Sequence, residues 1–135
     1  MPARVVDGDA VYLSDKVKKL KPEHRAEYSY LIPLAEANGV FEADPHRIWV
    51  TAYAFHREGT SPGWVRDLLS DLEKVDLLRT WTEAGKTWGY WTGIDKPGRL
   101  PPKAHLNRYK NLPPNPPLRV RSEELIPESS GIDPD

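Results

Sequence analysis

The chain has 135 residues, 39% of them hydrophobic and 29% charged, with no cysteine and a formal net charge of −1. That length supports one hydrophobic core and not two substantial ones. The near-zero charge excludes a general polyanion binder acting through bulk attraction, and the lack of cysteine excludes disulfides and thiol chemistry, which fits a reducing compartment.

Composition is uneven along the chain. Of 14 prolines, nine follow Gly93, whereas all five tryptophans precede it. The expected organisation is a globular domain over 1–94, a basic extension over 95–112 and a proline-rich, acidic, flexible tail over 113–135. The extension carries Lys96, Arg99, Lys103, Arg108 and Lys110 against Asp95; in the tail, Arg119 and Arg121 are outnumbered by Glu123, Glu124, Glu128, Asp133 and Asp135. No apolar run reaches the roughly 18–20 residues of a membrane span. The opening MPARVVDGDAVYL lacks the apolar stretch of a secretory signal. A cytoplasmic protein without a membrane partner is the expectation.

In chain order, Ser14 or Asp15 can cap a short helical turn ending near Leu20, and Pro22 suits the first position of a longer helix. Ala26, Tyr30, Leu31, Leu34 and Ala35 share a helical stripe; Pro33 should bend this helix, and Asn38-Gly39 should stop it. VFEAD (40–44) reads as a short strand. Asp44-Pro45 then opens a second helix over PHRIWVTAYAF, where capping outweighs β-propensity, and HREGT is a turn. Ser61-Pro62 repeats the cap-then-proline order, and Val65, Leu68, Leu69, Leu72 and Val75 predict a third helix over about 62–76.

LLRTWTEAGKTWGYW (77–91) predicts a hairpin with Glu83-Ala84-Gly85-Lys86 as its loop. Thr82 then faces Thr87, Trp81 faces Trp88, Arg79 faces Tyr90 and Leu78 faces Trp91. Leu78, Thr80, Gly89 and Trp91 fall on a core side; Arg79, Trp81, Trp88 and Tyr90 form an aromatic, cationic second face. Helix, strand, helix, helix and hairpin together specify an α+β, mainly helical winged helix-turn-helix: a three-helix core with a β-hairpin wing, followed by the proline-rich C-terminal tail.

The stretch from about Leu13 to Tyr109 resembles the N-terminal winged-helix domain of phage replication initiators (replisome organisers). The resemblance lies in LSDKVKKLKPEHRAEYSYLIPLAEANGVFEADPHRI, in VRDLLSDLEKVDLLRTWTEAGKTWGYWTGI and in the basic exit DKPGRLPPKAHLNRY. It implies double-stranded DNA binding without a cofactor, in phage-type replication initiation or transcription regulation.

In a helix-turn-helix the N-terminal half of the third helix lies nearest the bases. The candidate DNA contacts are therefore Thr60, Ser61, Gly63, Trp64, Arg66, Asp67 and Ser70. Ser61 and Gly63 suit a phosphate at the helix N-terminus, and Arg66 suits guanine. Lys86 and Thr87 at the wing tip would hold the backbone. Lys96, Arg99 and Lys103 either run along DNA beyond the wing or are solvated linker charges. Asp67, Asp71, Glu73 and Asp76 outnumber Arg66 and Lys74 and oppose DNA binding, although they lie mainly toward the C-terminal half of the helix. Trp64 either contacts a ligand or closes the edge of the core.

The alternative function is a protein–protein interaction module, or homodimer, built on Arg79, Trp81, Trp88 and Tyr90 with the tail. Trp81 and Trp88 can equally be a stabilising cross-strand pair, and LPPNPPL can cover their face in cis. His24, His46, His56 and His105 lack ligand spacing, no glycine-rich loop carries the phosphate-binding lysine, and no carboxylates are paired in a pocket. Neither an enzyme, nor a metal, cofactor or small-molecule substrate is expected.

Overall fold

The computed structural model describes residues 15–94, 109 and 111–121. Helix α1 (Asp15–Lys18) is a single turn with an acid at its start and lysines at its end, which suits the helix dipole. Pro22 then opens a tight 3₁₀ turn that widens into α2 (Arg25–Leu31). The bend expected at Pro33 is present: α2 tightens into a second 3₁₀ turn at Ile32–Leu34, and Gly39 (φ 85°) turns the chain into β1 (Val40–Glu42).

The inward stripe of α2 differs from the expected one. Ala26 and Tyr30 are exposed and Leu34 is half-buried, whereas Glu27, Tyr28, Leu31, Ile32 and Ala35 face the core. The 3₁₀ turns flanking α2 change its phase. A buried acid is tolerable because the Glu27 carboxylate accepts two hydrogen bonds from the Arg57 guanidinium (2.5 and 2.6 Å) and one from Tyr53 Oη (2.9 Å).

PHRIWVTAYAF is helical as far as Tyr53, as α3 (Pro45–Ile48) continuing into a wider π turn at Trp49–Tyr53, where the Ala54 amide donates to the Trp49 carbonyl. Ala54 and Phe55 lie in the turn that follows. Asp44 precedes it in extended backbone without a side-chain cap. Helix α4 (Pro62–Lys74) follows, and Ser61 is a true cap: its Oγ accepts from the Trp64 amide at 3.1 Å. Val65, Leu68, Leu69 and Leu72 are buried as expected, and the helix ends at Lys74 rather than residue 76 because Asp76 takes a left-handed conformation (φ 61°).

Strands β2 (Leu78–Glu83) and β3 (Lys86–Trp91) pair in the register read from the sequence. Glu83 also pairs with Lys86, so the loop narrows to Ala84-Gly85, both at positive φ. Strand β1 joins the other side of β3, giving an antiparallel sheet in the order β1-β3-β2. Leu78 and Trp91 lie on the helix side, where the Trp91 ring stacks on Phe41 (4.9 Å) and meets Tyr28 edge-on (5.7 Å). Among the described residues the architecture is α+β, four helices and a three-stranded antiparallel sheet, an order compatible with a winged helix. Among the described residues no helix is long and apolar enough to cross a membrane.

Residues 111–121 do not stand apart from this body. The Asn38 side chain, beside β1, donates to the Pro113 carbonyl (2.7 Å), and Arg79 of β2 donates to the Arg121 carbonyl (2.6 Å). Because β1 and β2 are opposite edges, the segment spans the sheet; Pro116 is buried on the way, as is Val120 in a 3₁₀ turn at Leu118–Val120. The tail expected to be flexible from 113 is therefore part of the folded body as far as 121. Residues 122–135 and most of the basic extension lie outside the described residues.

Candidate nucleic-acid interface

Helix α4 turns Ser61, Gly63, Arg66, Asp67 and Ser70 to the exterior while its apolar residues face the core. A Cβ added at Gly63 would meet only Ser61 Oγ, at 3.7 Å, so a ligand can come close to the backbone of this first turn. Thr60 is different. Its hydroxyl accepts from the Trp49 indole (3.2 Å) and donates to the Arg57 carbonyl (3.0 Å), which makes it a fastener of the preceding turn. Trp64 is half-buried, edge-on to Tyr53 (5.0 Å) and to His24 (6.1 Å), and closes the edge of the core. At the tip of the β2–β3 hairpin Lys86 and Thr87 are exposed, with the Lys86 ammonium 5.9 Å from the Trp88 ring. Lys96, Arg99 and Lys103 lie outside the described residues.

The acidic residues that opposed DNA binding divide into two groups. Asp71 is buried, where its Oδ2 meets His24 Nδ1 at 2.8 Å and accepts from the Lys21 amide at 3.0 Å. Asp76 accepts two bonds from Arg79 (2.9 and 3.1 Å) and one from Lys16 (3.3 Å). The Asp76 side chain stays 42% exposed but is charge-paired, which among the described residues leaves Asp67 and Glu73 as the exposed acids of this group without an ion pair, matched in number by Arg66 and Lys74.

Both paired carboxyls, buried Asp71 and half-exposed Asp76, are held below their ordinary range. At Asp71 burial pushes upward, but the bonds from His24 and Lys21 outweigh it; at Asp76 the Arg79 bond dominates. A depressed folded value means the stabilisation is fully present above the unfolded carboxyl value of about 4. It is lost as pH falls through the folded one. Melting temperature should therefore drop below about pH 4, and Asp71→Asn should flatten that acid limb. An unchanged limb in the variant would show that Asp71 does not report the titration.

Arg79, Trp81, Trp88 and Tyr90, expected as an open partner face, are not one. Trp81 is 5% and Tyr90 2% exposed, Arg79 is tied to Asp76 and the Arg121 carbonyl, and Trp88 is half-buried. The chain's own residues 111–121 span this sheet, as the covering role read for LPPNPPL anticipates. A groove of about 520 Å³ lies near β1 and the start of that segment, lined by Phe41, Arg47, Ile48, Trp88, Leu112 and Pro113 among others; none of the expected DNA contacts among the described residues lines it. Among the described residues no three His, Asp or Glu side chains cluster as a metal site.

Sequence reasoning missed Glu27, Arg57 and Phe55. Phe55 closes an apolar helical run and was grouped with it, yet it is 88% exposed. The polar HREGT that follows marks the turn but says nothing of the ring's direction. Comparison with protein families, with curated proteins and with solved structures finds no match.

Proposed function

We propose that the chain is a winged helix-turn-helix protein that binds double-stranded DNA, as a phage-type replication initiator or transcription regulator. Helix α4 would enter the major groove and the β2–β3 hairpin would act as the wing. One observation carries this reading. The N-terminal half of α4 offers a capped, accessible helix end with Arg66 and Ser70, while Asp71 and Asp76 are bonded within the protein. That withdraws the main electrostatic objection, although the remaining helix charges only balance. Affinity then has to lean on the helix N-terminus, the wing and the basic extension. The resemblance to phage replication initiators supports the same class. The interaction-module alternative loses its principal surface, since Trp81 and Tyr90 are buried.

Fluorescence anisotropy of a labelled mixed-sequence duplex from about 50 to 200 mM salt tests this. Binding should weaken steeply with salt. Arg66→Ala should cost roughly 5- to 150-fold in affinity and relax preference at one base pair. Lys86→Ala should weaken all sequences alike and lower the salt slope by about one. Absence of binding at the lowest salt would sink the proposal.

A further inference from the structure

Resting on the DNA reading, we infer that Phe55 is a base-stacking residue that takes the face of an unpaired nucleobase beside the N-terminus of α4. Phe55 is the most exposed large apolar side chain among the described residues, at 88%. It does not sit on a loose loop. The amides of His56 and Arg57 donate to the Tyr53 carbonyl (3.0 and 2.9 Å), and the Arg57 side chain is clamped on buried Glu27. The Arg57 carbonyl accepts from Thr60, whose hydroxyl also holds the Trp49 indole, and Ser61 follows as the cap of α4. An apolar ring is thus mounted on a pinned turn that runs directly into the candidate DNA-reading helix.

The surroundings narrow the occupant. Beside the ring in sequence are His56, Arg57 and Glu58, all exposed, and the Arg57 guanidinium lies 5.5 Å from the ring of Tyr30, itself 42% exposed. Even with Val50, the other exposed apolar side chain of the run that Phe55 closes (44%), the ring offers far less than the ~800 Å² per partner of a stable protein interface. It matches a single base, whose π-face stacks on aromatic side chains whatever its identity. A base paired within the duplex presents only its edge in the grooves. A face therefore becomes available only where a base is unpaired or unstacked. The Arg57 charge is matched by Glu27, so the contact should add affinity with little salt dependence, unlike the phosphate contacts of Lys86.

The test uses the full chain and two short labelled duplexes, one fully paired and one with a single bulged 2-aminopurine. Wild-type protein should bind the bulged probe more tightly and change its 2-aminopurine fluorescence. Phe55→Ala should lose about 5- to 100-fold on the bulged probe only, with an unaltered salt slope, and Phe55→Trp should retain the preference. Equal wild-type affinity for both probes, or equal loss on both in Phe55→Ala, overturns the stacking role while leaving duplex binding intact. No binding to either probe overturns the DNA reading with it. A self-associating wild type that becomes monomeric in Phe55→Ala, read by sedimentation, would reassign the ring to a contact between copies of the chain.

Discussion

Arg57→Ala is expected to destabilise the protein by about 3–5 kcal/mol, a large share of the roughly 5–15 kcal/mol that holds a domain of this size. The loss comes less from Arg57, whose side chain is 40% exposed, than from the partner it leaves behind. Glu27 is buried and would keep only the hydrogen bond from Tyr53 Oη. The pair already perturbs its neighbours. The Glu27 bond holds the Arg57 guanidinium above its ordinary range, while burial, and then Glu27, push the Tyr53 hydroxyl well up. Removing the guanidinium strands a carboxylate against that hydroxyl in a low-dielectric site.

Urea unfolding of Arg57→Ala measures the effect. Glu27→Met combined with Arg57→Met should recover much of the loss, because the buried charge disappears with its partner. A single variant within about 1 kcal/mol of wild type would mean that Glu27 behaves like an exposed ion-pair partner. Because Arg57 also anchors the turn before α4, the alanine variant should weaken the proposed DNA binding even where the protein remains folded. That loss should fall on paired and bulged probes alike, which separates it from the effect of Phe55→Ala.

Gly89→Val is the second severe substitution, expected to cost about 3 kcal/mol or more, at the upper end of overpacking. Gly89 lies in the central strand β3 opposite Phe41 of β1. A Cβ there would fall 2.7 Å from Phe41 Cζ and within 3.1 Å of both Cε atoms. The Phe41 ring covers the bare backbone, as aromatic residues do across a sheet glycine. It cannot step aside readily, because it is buried and stacked on Trp91, which Tyr28 closes from α2. Phe41→Leu should relieve part of the clash, so a double-mutant cycle between the two positions should give a coupling of about 1 kcal/mol or more. Additive effects would show that the ring does not fill the glycine's space.

Particular residues show where the fold was legible. Asp44-Pro45 and Ser61-Pro62 marked two helix starts, because proline's missing N–H and fixed φ act within one turn; at Ser61 the capping bond itself is present. The hairpin register followed from alternation on either side of the Glu83-Ala84-Gly85-Lys86 loop, although Glu83 and Lys86 themselves pair. Phase was harder. The stripe of α2 departs from simple helical spacing because two short 3₁₀ turns displace it, and because a buried Glu27 defies any rule that counts apolar residues. In the candidate site, the exposure of Gly63, Arg66, Asp67 and Ser70 followed from helical spacing, whereas the internal pairing of Asp71 and Asp76 did not.

Forces acting within a few residues left their mark in the residues themselves: helix starts, a hairpin loop within Glu83–Lys86, the strand pairing and the inward face of α4. Which polar groups are internally satisfied, and which aromatic faces are covered, is settled by packing between distant segments. Those outcomes hang on partners far along the chain: Arg57 is 30 residues from Glu27, His24 is 47 from Asp71, and Pro113 is 75 from Asn38. Local propensity carries no record of such pairs. The energy that selects them is the cost of burying a charge or an N–H group unpaired, and it arises only once the elements have packed.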